Sequence, residues 1–225
     1  MLLGQCHITY IVMRAEPSGK SEMVSQLIFG ETYRVLEDQG DWLRIETDFD
    51  HYQGWISAAQ FVSLDVVEKP FIVQKEVSLF FHDRWTSCGS EIDREMATSS
   101  ESDLLTLAAD FLNTPYLWGG RTFMGIDCSG FIQVLFKTKG MALPRDARDQ
   151  VVKGDLIDFN KRQSLDVAFF ANNQGSVTHT GLLISEKEII HAHGWVRIDA
   201  FDENGIFNRD KNKYTHFLHS VRRFL

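Results

Sequence analysis

Cys128 is the residue of this chain best placed to do covalent chemistry. It follows a loop rich in glycine and aromatic residues and precedes an apolar run, residues 131–137, that has the composition of a buried helix. At a helix N-terminus, unpaired backbone N–H groups and the positive end of the helix dipole favour a thiolate, so the pKa of Cys128 is expected to be lowered. Cys128 is therefore a candidate nucleophile. The alternative is a small buried apolar residue, because isolated cysteines are often simply buried.

Two histidines downstream could activate this sulfur. Residues 177–184 and 188–193 have the composition of neighbouring strands, the first carrying His179 and the second His191. Neighbouring strands would bring the two imidazoles together. His179 could then take the thiol proton, and His191 could orient His179 through a ring-to-ring hydrogen bond. The sequence thus indicates a nucleophile, a base and an orienting residue.

The same residue types could instead ligate zinc. Cys128, His179, His191 and His193 are all zinc-ligand types, and two histidines one residue apart on a strand share a face. A second cysteine or a carboxylate at ligand spacing does not accompany them. We therefore expect no metal and no other cofactor, with His193 as a polar neighbour of the cleft. A surface or structural role is expected for the remaining histidines, which are His7, His51, His82, His216 and His219.

Composition limits the classes of partner and the compartment. The net charge of −8 argues against nucleic acid or an anionic membrane surface as partner. The odd, widely spaced set of Cys6, Cys88 and Cys128 does not suggest a disulfide framework, which favours a reducing compartment. Residues 1–7 lack the basic and apolar regions of a signal peptide. We expect a cytoplasmic protein if the chain is complete, and a secreted or periplasmic one if a signal peptide had been removed.

The pattern along the 225 residues predicts two domains of an α+β protein. Residues 1–65 contain short β-rich runs divided by Gly30, Gly40 and Gly54, which predicts a small barrel. Residues 66–100 are predicted to be a linker or extension. In residues 101–225, one helix precedes the cysteine-bearing helix, and about five strands follow from residue 154 onward, including the two that carry the histidines.

Several motifs, in this order and spacing, resemble those of the NlpC/P60 family of papain-like cysteine peptidases. They are Pro115–Gly120, Gly125–Phe131, Leu143–Ala147, Gly154–Leu156, His179–Leu182 and Ile190–Ala192. The first domain resembles a bacterial SH3 domain at Met13–Ser18, Gly30–Glu31, Gly40–Ile45 and Tyr52–Ile56. The resemblance implies an SH3-like β-barrel followed by a papain-like domain, in which the helix carrying the nucleophile packs on an antiparallel sheet. It also supports Cys128, His179 and His191 as the catalytic residues.

The resemblance further implies a substrate. Family members with an SH3 domain in front cleave the bond between D-glutamate and a diamino acid in cell-wall muropeptides that have a free N-terminal L-alanine, and the SH3 domain closes one end of the cleft. Glu16 and Asp127 correspond to positions near that amine, and Tyr52 to the tyrosine that covers it. The remaining expected substrate contacts are Trp118, Ser129, Arg145, Asp146 and Ala147, although an equally plausible role for Arg145 is a structural salt bridge.

The expected function is a cysteine endopeptidase that needs no cofactor and acts in the recycling of peptidoglycan peptides. Two alternatives remain. A peptidoglycan-binding SH3 protein could carry a weakly catalytic domain, or the papain-like core could transfer acyl groups to an acceptor other than water.

Overall fold

The chain folds as two units, each built around its own antiparallel sheet. The structure, a computed structural model, describes residues 2–63, 77–81, 84–88 and 101–225. The first unit comprises Met1–Thr98 together with Leu117–Gly125, and the second comprises Ser99–Tyr116 together with Ile126–Leu225. The segment Leu117–Gly125 therefore returns to the first unit after the first helix of the second.

The first unit contains a sheet of six strands. The strands are β1 (Leu3–Gln5), β2 (Tyr10–Arg14), β3 (Met23–Ile28), β4 (Thr32–Asp38), β5 (Trp42–Thr47) and β6 (Gln53–Ser57), in the order β1-β4-β5-β6-β2-β3. Alternate residues of the strands, such as Ile11 and Met13 on β2, are fully buried in a shared apolar core. The predicted SH3-like strands are confirmed, and β1 is an addition that the sequence pattern did not predict. A short 3-10 helix, Ala58–Gln60, follows β6.

Within residues 66–100, the structure describes only a hairpin, formed by β7 (Val77–Phe81) and β8 (Arg84–Cys88). The remainder of the predicted linker or extension lies outside the described residues.

A buried ion pair fixes the returning segment within the first unit. The guanidinium of Arg121 donates two hydrogen bonds of 2.9 Å to the carboxylate of Glu31, and both side chains are almost fully buried. Arg121 also donates to the backbone oxygen of Gln26, and its backbone N–H donates to the Gln26 side chain. These bonds satisfy polar groups that burial would otherwise leave without partners.

The second unit is organised around a longer sheet. Two short strands, β9 (Arg121–Thr122) and β10 (Gly125–Ile126), precede it in the chain. The longer sheet consists of β11 (Asp155–Ile157), β12 (Val167–Ala171), β13 (Val177–Ser185), β14 (Glu188–His193), β15 (Trp195–Asp202), β16 (Gly205–Asn208) and β17 (Lys213–Arg223), in the order β11-β17-β12-β13-β14-β15-β16. Because β16 also pairs with the first half of β17, the sheet closes on itself from β12 to β17, as in a barrel. The sequence pattern did not predict β15 and β16, which connect β14 to β17 in the closed sheet.

Three helices belong to the second unit. They are α1 (Glu101–Asp110), α2 (Cys128–Lys137) and α3 (Ala147–Gln150), and a 3-10 helix covers Phe159–Lys161. Helix α2 packs against β13, β14 and the other two helices, and most of its side chains are buried. The predicted arrangement of a cysteine-bearing helix on an antiparallel sheet is confirmed. In the part of the chain that the structure describes, no helix has both the length and the apolar character to cross a membrane.

Replacing Arg121 with Met should destabilise the first unit strongly. The substitution leaves the carboxylate of Glu31 buried without its cation, and breaking such a pair costs about 3–5 kcal/mol. Arg44→Met is the matched control, because the Arg44 side chain is 44% exposed and its nearest carboxylate lies at 3.9 Å. Urea unfolding followed by tryptophan fluorescence measures both variants. An equal loss of unfolding free energy in the two variants would show that the buried ion pair contributes no more to stability than the exposed arginine does.

Candidate active site

Cys128 is the first residue of α2, as the sequence predicts. Asp127 caps the helix, and its carboxylate accepts a hydrogen bond of 2.7 Å from the backbone N–H of Gly130. This is the usual way in which an aspartate satisfies the open N–H groups at a helix start. The cap fixes the first turn of α2 and therefore the position of the cysteine side chain.

Arg145 holds the cap from the other side. Its guanidinium donates two hydrogen bonds to the Asp127 carboxylate, at 3.0 and 2.6 Å, and one of 3.0 Å to the hydroxyl of Ser129. All three side chains are buried. Gln150, the last residue of α3, donates to the backbone oxygens of Ser129 and Pro144. Of the two roles considered for Arg145, the structure shows the structural ion pair.

The electrostatic setting of Cys128 differs from the sequence-based expectation. The sulfur lies against the backbone of Thr180 and Ser129, whose hydrogen bonds favour the thiolate. Burial and the neighbouring charge of Asp127 outweigh these bonds and raise the pKa of Cys128 to about 12. The expected lowering of the pKa is therefore wrong, because a carboxylate beside a side chain that is only 5% exposed opposes the helix terminus. The resting group is a thiol.

On the sheet that helix α2 packs against, His179, His191 and Asp199 form a row of buried side chains joined by hydrogen bonds. Nε2 of His179 lies 2.8 Å from Nδ1 of His191, and Nε2 of His191 lies 3.1 Å from Oδ2 of Asp199. Arg197 donates two further bonds to Asp199, at 2.7 and 2.8 Å. The predicted meeting of His179 and His191 is present in the structure. Asp199, the end of the row, was missed, because it lies on the unpredicted strand β15.

The row determines which ring nitrogens carry protons. Burial alone would raise the pKa of Asp199, but hydrogen bonds from His191 and Arg197 hold it below its ordinary value, so the carboxylate can only accept. Nε2 of His191 therefore donates to Asp199. Its Nδ1 carries the lone pair and accepts the proton of Nε2 in His179. The nitrogen of His179 left with a lone pair is Nδ1, and Thr180, which touches the thiol, is the next residue in the chain.

Burial also keeps both rings neutral. It lowers the pKa of His179 well below the ordinary value of 6.5, and it lowers the pKa of His191 despite the opposing effect of Asp199. Gly181 makes room for the second ring, since a Cβ at this position would lie 2.8 Å from the Cβ of His191. A neutral imidazole with a lone pair is suited to general-base activation of a nucleophile.

Two further side chains lie next to His179 and Cys128 and were not singled out from the sequence. The ring of His216, expected from the sequence to be surface or structural, stacks on that of His179 with centroids 4.0 Å apart. Tyr116, part of a motif that the sequence did show, interacts electrostatically with Cys128, Asp127 and Arg145, and burial raises its pKa. Its hydroxyl is therefore protonated and able to donate.

The expected substrate contacts fall in both units. In the second unit, Asp146 precedes α3 and Ala147 is buried at its start. In the first unit, Glu16 is exposed and Tyr52 is partly buried against the barrel core. Trp118 is 57% exposed, and its indole N–H donates a bond of 2.6 Å to Glu22. Their roles toward a substrate stay predictions.

Comparison with known protein families agrees with this geometry. The NlpC/P60 family model matches residues 113–215, which include the cysteine and both histidines of the row. The model of the bacterial dipeptidyl-peptidase SH3 domain matches residues 13–61. The chain contains an NlpC/P60 domain and a bacterial SH3 domain. The family resemblance expected from the motifs is thus confirmed for both parts of the chain.

Individual relatives match most of this chain or a part of it. A γ-D-glutamyl-L-lysine dipeptidyl-peptidase of Bacillus subtilis is 26% identical over 211 residues, covering 75% of this chain and 71% of the relative. The probable endopeptidase NlpC of Escherichia coli is 36% identical over 81 residues, covering 35% and 53%. The solved structure of an NlpC/P60 family protein from Bacillus cereus, 19% identical, covers 99% of both chains with a TM-score of 0.74, which shows a shared fold. These relatives support a cell-wall peptidase.

Replacing Asp199 with Asn should lower kcat by at least about tenfold, because the row loses the charge that fixes the proton on Nε2 of His191. Asp210→Asn is the matched control. Asp210 accepts a hydrogen bond from the same Arg197, at 2.7 Å, but its side chain is 70% exposed. Steady-state hydrolysis assays measure both variants. Equal rates for the Asp199 variant and the wild type would mean that the carboxylate does not set the tautomer.

Acid should destabilise the protein through histidines whose pKa is lowered in the folded state. Burial lowers the pKa of His216 from 6.5 to about 3, so between these values the unfolded chain binds more protons than the folded chain. The free energy of unfolding should therefore fall as the pH drops through this window, by up to about 1.4 kcal/mol per pH unit for each such histidine. Urea unfolding at a series of pH values should show that the free energy of unfolding falls less steeply with decreasing pH in His216→Phe than in the wild type. An unchanged slope would contradict this assignment.

Proposed function

We propose that the protein is a cysteine endopeptidase that hydrolyses the γ-D-glutamyl bond to a diamino acid in muropeptides with a free N-terminal L-alanine. The observation that carries the proposal is the buried row His179–His191–Asp199 beside a cysteine at a helix start, within residues that match the NlpC/P60 family. The similarity to the Bacillus subtilis γ-D-glutamyl-L-lysine dipeptidyl-peptidase supports the substrate class.

In the proposed reaction, attack and proton transfer are coupled. The resting pair is a thiol and a neutral imidazole, so Nδ1 of His179 takes the proton of Cys128 as the sulfur adds to the γ-carbonyl carbon. The resulting imidazolium is stabilised through His191 by the negative charge of Asp199. It then gives the proton to the leaving amine, and a thioester remains. Water, deprotonated by the same Nδ1, hydrolyses the thioester and restores the thiol.

The oxyanion of each tetrahedral intermediate needs donors beside the sulfur. The backbone N–H of Cys128, at the open start of α2, is the first donor we propose. The hydroxyl of Tyr116 is the second, because it is held protonated in the electrostatic neighbourhood of Cys128. Both are neutral donors, so they stabilise the oxyanion without adding a cation that would lower the basicity of His179.

Two other functions predict different outcomes with the same protein. A wall-binding protein with a weak catalytic domain would keep its main activity in Cys128→Ala and would sediment with insoluble peptidoglycan. An acyltransferase would give amide or ester products when an acceptor is present. Mass spectrometry of defined tri-, tetra- and pentapeptide digests distinguishes these outcomes from simple hydrolysis, for which Cys128→Ala and His179→Ala should each be inactive but folded.

Acetylating the N-terminal L-alanine should slow hydrolysis. The acetyl group removes the charge of the amine, and loss of one charge-assisted hydrogen bond is worth about 1.5–3 kcal/mol, or roughly 10-fold to 150-fold in kcat/KM. Purified sacculi, in which this alanine is amide-linked, should be poor substrates for the same reason. The measurement compares L-Ala-γ-D-Glu-diaminopimelate, its N-acetyl form and sacculi. Equal rates on all three would rule out recognition of the amine and a role in recycling released peptides.

A further inference from the structure

Two histidines beside the catalytic row have no part in the mechanism proposed above. The ring of His216 on β17 stacks on His179 at 4.0 Å and lies 5.7 Å from the ring of His191, measured between centroids. The ring of His193, which is also partly buried, lies 4.7 Å from that of His216. Imidazoles from three strands, β13, β14 and β17, thus converge on one point of the sheet.

The ring nitrogens of three of these residues are close enough for one ion. One ring nitrogen from each of His179, His191 and His216 lies within 4.8 Å of the others. Two nitrogens bound to the same tetrahedral zinc ion are about 3.3 Å apart, given Zn–N bonds of about 2.0–2.1 Å. His179 and His191, with nitrogens at 2.8 Å, need only separate slightly. His216, which is only partly buried, needs to swing by about 1.5 Å.

A second feature of metal sites is also present. Histidines that bind metal through one nitrogen usually donate the other N–H to a carboxylate, which fixes the ring and its tautomer. Asp199 holds Nε2 of His191 in this way, so Nδ1 presents its lone pair toward His179 and not toward the carboxylate. Neutral imidazoles are ligands that suit zinc, copper and nickel.

We propose that His179, His191 and His216 form a binding site for zinc, with water as the fourth ligand, and that an ion bound there switches off the catalytic base. Nε2 of His179 gives its lone pair to the ion, and the single proton of this neutral ring moves to Nδ1. A protonated Nδ1 cannot accept the thiol proton. The site differs from the zinc site weighed from the sequence, because His216 and water take the places of Cys128 and His193 as ligands. Inhibition rests on the proposed function, whereas binding does not.

Binding is tested first in Cys128→Ser, which lacks the thiol, by calorimetric titration with zinc chloride. One ion per chain should bind. Adding His216→Gln should raise the Kd by about tenfold or more, since removing a ligand costs at least as much as removing a carboxylate partner. His219→Gln, an exposed histidine on the same strand, is the matched control and should leave the Kd unchanged. An unchanged Kd with His216→Gln, or loss of binding in Cys128→Ser alone, would overturn the site.

Cobalt(II) gives an independent readout of the ligands. In protein that keeps Cys128, the cobalt complex should show the visible bands of a tetrahedral nitrogen and oxygen site, without a sulfur-to-cobalt charge-transfer band in the near ultraviolet. A sulfur band would place the ion on the nucleophile and contradict the three-histidine site.

The switch is tested by hydrolysis of the tripeptide. Zinc should inhibit the wild type, excess chelator should restore its rate, and His216→Gln should need about tenfold or more zinc for the same fractional inhibition. If zinc binds as proposed but the metal-free protein does not hydrolyse muropeptides, the proposed function fails and the site stands. If metal-free protein is active and zinc binds without inhibiting, the switch is wrong.

Discussion

The hydrogen-bonded row from Asp199 through His191 to His179 is the constraint on which the rest of the site depends. Its members lie on three neighbouring strands, and Asp199 stands directly opposite Ile189, two residues from His191. All three side chains are buried, so little water competes for their hydrogen bonds. In such surroundings every polar atom needs a protein partner, and the only consistent arrangement of protons leaves a lone pair on Nδ1 of His179.

Burial gives this site a chemical character different from that of a preformed thiolate and imidazolium. It disfavours charge on the sulfur and on both rings, so the neutral pair is the resting state. Charge then develops only during attack, when Asp199 and the donors beside Cys128 can stabilise it. The ion pair between Arg145 and Asp127 fixes the start of α2 and therefore the position of these donors.

The sequence was sufficient for the parts of the site that depend on local patterns. A cysteine at a helix start, and two histidines on short β-rich runs, follow from spacing and composition, and the meeting of the histidines follows from the pairing of consecutive strands. Asp199 and His216 could not be found in this way. Asp199 lies on a strand that the pattern missed, and His216 reaches His179 because the last strand, β17, inserts beside β12.

The pKa of the cysteine shows why local pattern was not enough for the electrostatics. A helix start favours the thiolate, but the depth of burial and the charge beside the sulfur depend on how α2 packs on the sheet and on where Arg145 returns in the chain. The same holds for Arg121, which follows α1 in the chain but pairs with Glu31 of the first unit. Long-range packing decided both outcomes.

The tautomers of His179 and His191 test the account most directly. Long-range proton–nitrogen correlation spectra of protein labelled with nitrogen-15 in its histidines, recorded at neutral pH without added metal, report which nitrogen of each ring carries the proton. His179→Ala and His191→Ala assign the signals. Both rings should be neutral and protonated on Nε2, and Asp199→Asn should disturb the pattern. A proton on Nδ1 of either ring in the wild type would contradict the proposed base.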